Sequence, residues 1–238
     1  MRDAVAAIEG IYARGRWPIL VGGTGLYYRA LARGLFPGPA ADAKLRARLE
    51  QIARRRGVEF LHKMVARADP PSAARILRRD LKRLVRCLEV YFLTGRPLTD
   101  HFADTVSPLA GYETVAVGLS IPLPEIAART ARRVDQQFAL GLLDEMRGLL
   151  ARGVPETARP FGGLVYRQAL EHLHGVRGEP ETRALIAQEN RRYARRQLIW
   201  FRKEPNLVWL QTSGDQPETR AAVESILAKW PNFSPESS

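Results

Sequence analysis

The sequence predicts an α/β fold interrupted by a helical block, on three observations. A short apolar run, Trp17 to Val21, leads into Gly22-Gly23 and then a helical pattern through Leu26-Tyr27-Tyr28-Arg29-Ala30-Leu31. Strand, glycine turn and helix in that order are the building unit of such folds. Two more apolar runs, Tyr112 to Ile121 and Asn206 to Leu210, read as core strands. Between the first run and the second lie about 55 helical, arginine-rich residues with no strand signal.

The elements follow in order. Residues 2–14 read as a helix that stops near Gly15, and Trp17 to Val21 as a buried strand. Pro37-Gly38-Pro39-Ala40-Ala41 reads as a linker into the helical block. There, Leu45, Leu49 and Ile52 recur at helical spacing, and a further helix runs from Leu81 to Leu93, with Asp80 as its cap and Gly95 and Pro97 ending it. Arg96 to Gly111 is a connector. Leu123 to Arg152 is a long helical stretch broken near Gly141, and Gly162-Gly163 opens another helix. A last helix covers 218–230, and Pro231 to Ser238 is expected to be a disordered tail. The domain division expected is 1–40 and 113–230 for the α/β part, with 41–112 as the insertion.

Composition bounds the function. The chain has 238 residues, 45% of them hydrophobic, enough for a substantial core. Lys and Arg number 37 against 25 Asp and Glu, a formal charge of +12 carried mainly by arginine, which favours phosphate-bearing partners. A single cysteine, Cys87, excludes an intrachain disulfide and reads as a buried inert thiol. The four histidines and one cysteine make no metal-ligand spacing. No stretch has the length of a membrane span and no signal peptide is evident, so a cytoplasmic protein, without membrane partners and monomeric, is the expectation.

The run from Arg191 to Lys203 carries the most chemistry. Wound as a helix, it places Arg191, Arg192, Arg195, Arg196, Arg202 and Lys203 on one side and Tyr193, Trp200 and Phe201 on the other. Like charges four apart destabilise an isolated helix. A polyanion offsets that repulsion, and nucleic acid is the polyanion to which such a basic stripe is suited. A solvated basic face over a core-facing aromatic stripe is the competing reading.

Four motifs in order resemble those of the tRNA dimethylallyltransferase family. Gly22-Gly23-Thr24-Gly25-Leu26-Tyr27 resembles its glycine turn. Asp80-Leu81-Lys82-Arg83-Leu84-Val85-Arg86-Cys87-Leu88-Glu89-Val90-Tyr91 is similar to its arginine-bearing insertion helix. Tyr166-Arg167-Gln168 and Arg195-Arg196-Gln197-Leu198-Ile199-Trp200-Phe201-Arg202 are similar to its two later signatures. The resemblance implies a P-loop-NTPase-like core with an all-helical insertion that grips the tRNA anticodon stem-loop. It also implies transfer of a dimethylallyl group from dimethylallyl diphosphate to the exocyclic N6 of an adenosine beside the anticodon, with Mg2+ at the diphosphate. Carried over residue by residue, Thr24 borders the channel for the target base and Arg133 faces the diphosphate. Arg46, Lys82, Arg83 and Arg86 meet tRNA from the insertion. Tyr166, Arg167 and Gln168 meet it from a helix start, Gln168 reading a base edge. Arg195, Arg196, Gln197, Trp200 and Arg202 lie along the anticodon arm, with Trp200 and Phe201 as packing that positions the arginines.

The sequence departs from the family in places. It has no Walker-type G-x-x-x-x-G-K-[ST] loop and no general-base aspartate in the family's context, and the core is therefore expected to be N-terminally incomplete. Val165 stands where a glycine is usual, and Asn190 where a threonine is usual. The expectation is of a chain that binds tRNA and transfers little or no prenyl group alone, with Mg2+ ligands lying outside it. The alternatives are a non-catalytic RNA-binding protein and a small-molecule kinase relative.

Overall fold

The computed structural model describes residues 1–229. The expected tail at 231–238 lies outside the described residues. The elements are α1 (Arg2–Tyr12), α2 (Gly25–Ala32), α3 (Ala43–Arg56), α4 (Val58–Ala68), α5 (Pro70–Arg75), α6 (Leu81–Thr94), α7 (Leu98–Ala103), β1 (Ala116–Leu119), α8 (Leu123–Ala139), α9 (Leu142–Ala151), α10 (Tyr166–Leu173), α11 (Glu179–Phe201), β2 (Leu207–Leu210) and α12 (Pro217–Leu227). A 3-10 turn at Arg159–Gly162 precedes α10. The fold is α/β, mostly helical, with one small parallel sheet.

The chain divides into two units. One is Met1–Gly22 with Leu26–Glu113; the other is Gly23–Gly25 with Thr114 onward. The later boundary lies between Glu113 and Thr114. Residues 1–22 and 26–40 group with the helical block.

The first unit is built around α3 to α7. Asp42 and Asp80 cap α3 and α6 by accepting from the Leu45 and Arg83 amides, which satisfies amides a helix start leaves unpaired. Gly95 ends α6 in the left-handed conformation with φ 70°, where a side chain is disfavoured. Leu61, Val65, Leu84, Leu88 and Val90 are sealed from solvent in the core, with Cys87 among them. Burial pushes the Cys87 thiol up to about 11, so it is the inert thiol expected. Beside it, Asp69 is fully buried. Its carboxylate accepts from the Ser72 amide and hydroxyl (3.0 and 2.7 Å) and from the Thr99 amide and hydroxyl (2.9 and 2.6 Å). Burial alone would raise the acid's pKa, but the Thr99 and Ser72 bonds together hold it below the ordinary value. Asp69 thereby caps α5 and fastens α7 to it.

One expectation fails here. The run Trp17 to Val21 belongs to no strand, and Ile19 and Val21 are 82% and 94% exposed. Apolar composition marks a segment as fit for a sheet, but a strand exists only where a neighbour completes its ladder. Among the described residues the sheet has only β1 and β2.

The second unit holds that sheet. β1 and β2 pair in parallel, Ala116 opposite Leu207 and Leu119 opposite Leu210. They lie inside the two later apolar runs. Gly118 admits the close approach, since a Cβ there would lie 2.8 Å from both Leu207 and Trp209 side-chain atoms. Gly141, at φ 91°, separates α8 from α9 where the break was expected. Val134, Phe138, Leu142, Met146, Phe161, Ala169 and Ile186 form the core between α8, α9, α10 and α11.

Candidate functional site

The site grows from α11. Its first half is an anchor. Glu179 and Glu181 sit in its first turn with Pro180 beside them, a favourable start for a helix dipole. Thr182 and Ile186 are buried, and Arg183 lies over the Phe138 ring of α8 at 4.1 Å while pairing with Asp135 and Glu179. The second half turns basic. Arg191, Arg192, Arg195, Arg196 and Arg202 are all exposed. Among the described residues none of the five pairs with a carboxylate. Trp200 and Phe201 are half-buried and meet edge to face at 5.0 Å, in keeping with packing that positions the arginines.

The glycine turn is pinned to this helix. Gln197 Nε2 donates to the Gly23 carbonyl at 2.7 Å. A Cβ on Gly23 would lie 2.3 Å from Gln197 Nε2, and one on Gly25 would lie 2.3 Å from the Trp200 ring. Neither glycine has a positive φ. The turn therefore needs them for close approach, a reason that sequence alone did not separate from ordinary turn chemistry. Thr24 between them is exposed.

The Tyr166-Arg167-Gln168 motif reaches the same helix through Glu189. Arg167 Nη2 and Gln168 Nε2 both donate to Glu189 Oε2. Arg167, Glu189, Arg192 and Arg196, with Leu164, line a cleft of about 270 Å³. Three guanidiniums against one carboxylate leave it net cationic. Gln168 departs from expectation. It is fully buried, with its Oε1 lacking a partner, so as placed it orients Glu189 and offers no base a hydrogen-bonding edge. Tyr166 donates to Glu145, which raises the phenol's pKa, with burial adding to the rise. Both residues line a second hollow of about 430 Å³ with Gln137, Leu140, Leu142, Leu164 and Val165. Val165, at φ 75° and ψ −62°, is the one non-glycine residue with positive φ among the described residues. A β-branched side chain there is strained.

Arg133 is exposed on α8, one turn beyond Arg129, which pairs with Glu125 and Asp215. In the first unit, Lys82 and Arg83 are exposed, Arg83 near Asp80 at 3.4 Å. Arg46 and Arg86 are engaged with buried Glu89. Glu89 and Glu189 were missed in the sequence. Glu189 had a signal, since it lies three and seven residues before Arg192 and Arg196, on one helix face.

Magnesium finds no cage of its own. Among the described residues no three His, Cys, Asp or Glu side chains gather as a metal site requires. No described helix is long and apolar enough to cross a membrane.

The protein is thus an α/β protein with a helical unit, and its second unit carries a pinned glycine turn and an arginine-lined cleft. The family model described as IPP transferase matches residues 1–204. A tRNA dimethylallyltransferase of Solibacter usitatus is 45% identical over 233 residues, 96% of this chain and 74% of the relative. One of Geobacter sulfurreducens is 40% identical over 229 residues, covering 96% and 72%. The crystal structure of the tRNA isopentenylpyrophosphate transferase of Bacillus halodurans is similar with a TM-score of 0.62 at 32% identity, over 94% of this chain and 70% of that one. A eukaryotic dimethylallyltransferase acting on tRNA shares the fold with a TM-score of 0.68 at 23% identity, over 93% and 58%. The chain belongs to the IPP transferase family.

Proposed function

We propose that this chain takes part in prenylation of tRNA: transfer of a dimethylallyl group from dimethylallyl diphosphate to N6 of the adenosine 3′ of the anticodon. The N6 nitrogen forms a bond to the allylic C1, the C1–oxygen bond breaks, diphosphate leaves and N6 gives up a proton. The observation that carries the reading is the glycine turn held on the basic helix by Gln197, beside the cleft of Arg167, Arg192 and Arg196.

In this reading Thr24 borders the channel for the displaced base, since its hydroxyl is exposed between two glycines that fix the backbone. Arg192, Arg195, Arg196 and Arg202 lie along the anticodon arm and neutralise its phosphates. Lys82 and Arg83 do the same from the helical unit, together with Arg46 and Arg86. Arg133 faces the diphosphate. Mg2+, for which the described side chains form no cage, would act there only through the diphosphate that brings it. The 238 residues hold no Walker-type loop, and amides that cradle the leaving group supply much of the stabilisation in such sites. The chain by itself therefore binds tRNA far better than it prenylates it.

The test is the chain with tRNA, dimethylallyl diphosphate and magnesium. Retention of tRNA on filters across a salt series measures binding, and mass spectrometry of digested tRNA measures prenyl-adenosine. Steeply salt-dependent binding with traces of product supports the reading. Binding without any affinity for the allylic diphosphate favours a non-catalytic RNA-binding protein. Retention no better than for a similarly charged globule ends both.

A further inference from the structure

Glu89 is a carboxylate with no exposed surface, on the face of α6 that looks toward the start of α3. Its Oε1 accepts from Arg46 Nε and from the Asp42 amide, both at 2.8 Å. Its Oε2 accepts from Arg46 Nη2 at 2.8 Å and from Arg86 Nη1 at 2.6 Å. Arg86 Nη2 reaches further, to the Pro39 carbonyl at 3.1 Å, so the linker before α3 is tied into the same cluster. Gly38 leaves room for it, since a Cβ there would lie 2.7 Å from Arg86 Nη2.

The arithmetic of donors and charges is informative. Each guanidinium has five N–H groups and gives two to these partners, so each keeps three. Two guanidiniums share this one carboxylate, and Glu50 also acts on Arg46 from one turn further along α3. The arginine side chains remain 40% and 32% exposed, while the carboxylate has no exposure at all. The unused donors belong to the two arginines, which are the members of the cluster that reach solvent.

We propose that Glu89 is a positioning residue, a buried carboxylate that holds the Arg46 and Arg86 forks in fixed orientation to receive RNA phosphates. The inference rests on the reading that this chain binds tRNA. A guanidinium already locked in place loses less freedom on meeting a phosphate than one free on a flexible stem. Glu89 touches no RNA and acts through the arginines alone.

The test is a cycle of variants: Glu89→Gln, the pair Arg46→Gln with Arg86→Gln, and all three together. Each is measured for tRNA binding across a salt series, after circular dichroism establishes native helix content. The triple variant carries no uncompensated buried charge. Glu89→Asp, which keeps the charge and retracts it, decides the matter where Glu89→Gln does not fold. The pair is expected to lower the slope of log affinity against log salt by about two. Glu89→Gln or Glu89→Asp is expected to weaken binding roughly tenfold, and the triple variant to bind as the pair does, because the effect of Glu89 vanishes with its arginines. Parent affinity and slope in a folded Glu89 variant overturn the proposal, as does a triple variant much weaker than the pair. If the parent chain does not retain tRNA above a charge-matched control, the functional reading itself fails and this inference falls with it.

Discussion

Gln197 donates a 2.7 Å hydrogen bond to the carbonyl of Gly23, a residue 174 positions earlier. The bond joins the glycine turn to the basic helix. Together with Trp200, which lies against Gly25, it explains why glycines stand on either side of Thr24.

Gly25→Ala is therefore expected to be damaging. Its new methyl would fall 2.3 Å from Trp200, a ring that cannot swing away as a flexible chain end can. Overpacking of this kind costs about 1–3 kcal/mol. Gly22→Ala is the control, because nothing lies within 4 Å of a Cβ there. Thermal melts of the two variants should differ accordingly, and equal melting points would refute the account of the turn.

Acid should loosen the helical unit in a particular way. Burial would raise the Glu89 acid's pKa, but the hydrogen bonds from Arg46 and Arg86 and from the Asp42 amide outweigh it and hold the carboxyl at about 2. A carboxyl depressed on folding contributes its stability above its unfolded value and loses it as pH falls through the folded one. Asp69, also depressed, acts in the same direction. Urea unfolding followed between about pH 5 and about pH 2 should show stability falling steadily, and Glu89→Gln should flatten the curve. A curve equally steep in the variant would remove Glu89 from the account.

Val165→Gly tests the strained residue ahead of Tyr166. Relief of a positive φ is worth about 1–3 kcal/mol, while the half-buried valine contributes about 1 kcal/mol by its contacts. The variant should melt no lower than the parent chain. A loss above about 1 kcal/mol would mean that the φ of 75° carries no strain.

Neutralising the cleft should act on RNA and spare the fold. Arg192→Gln with Arg196→Gln leaves the buried half of α11 untouched, so helix content and melting point should hold. The salt dependence of tRNA binding should fall by about two in slope. Binding that keeps its slope would take the cleft of Arg167, Arg192 and Arg196 out of the interface.

Local signals carried most of the helices. The Asp80 cap, the Gly95 stop and the Gly141 break are written within a few residues of where they act, and the elements end there. The strand at Trp17 to Val21 was misjudged because a ladder depends on a neighbour, and composition names no neighbour. Family motifs marked Thr24, Arg46, Arg86, Arg167 and Arg196, yet they did not say which carboxylates hold those arginines. Glu89 meets Arg46 across 43 residues, and Glu189 meets Arg167 across 22. No spacing rule for helices or strands reaches so far. Gln168 was legible as part of a binding motif, while its burial against Glu189 depends on packing that no motif reveals.

The parallel register of β1 with β2 has a consequence for how the chain acquires its shape. Ser120 and Gln211, which bond just beyond the paired strands, are 91 residues apart, so this sheet waits until Leu207–Leu210 has been synthesised. The core of the helical unit is complete by Leu98 and made of neighbouring helices. Contacts of short sequence span form early and distant ones late. During translation the helical block can condense while the strands are still apart, and the last event is the capture of Leu207–Leu210 by a strand that emerged long before it.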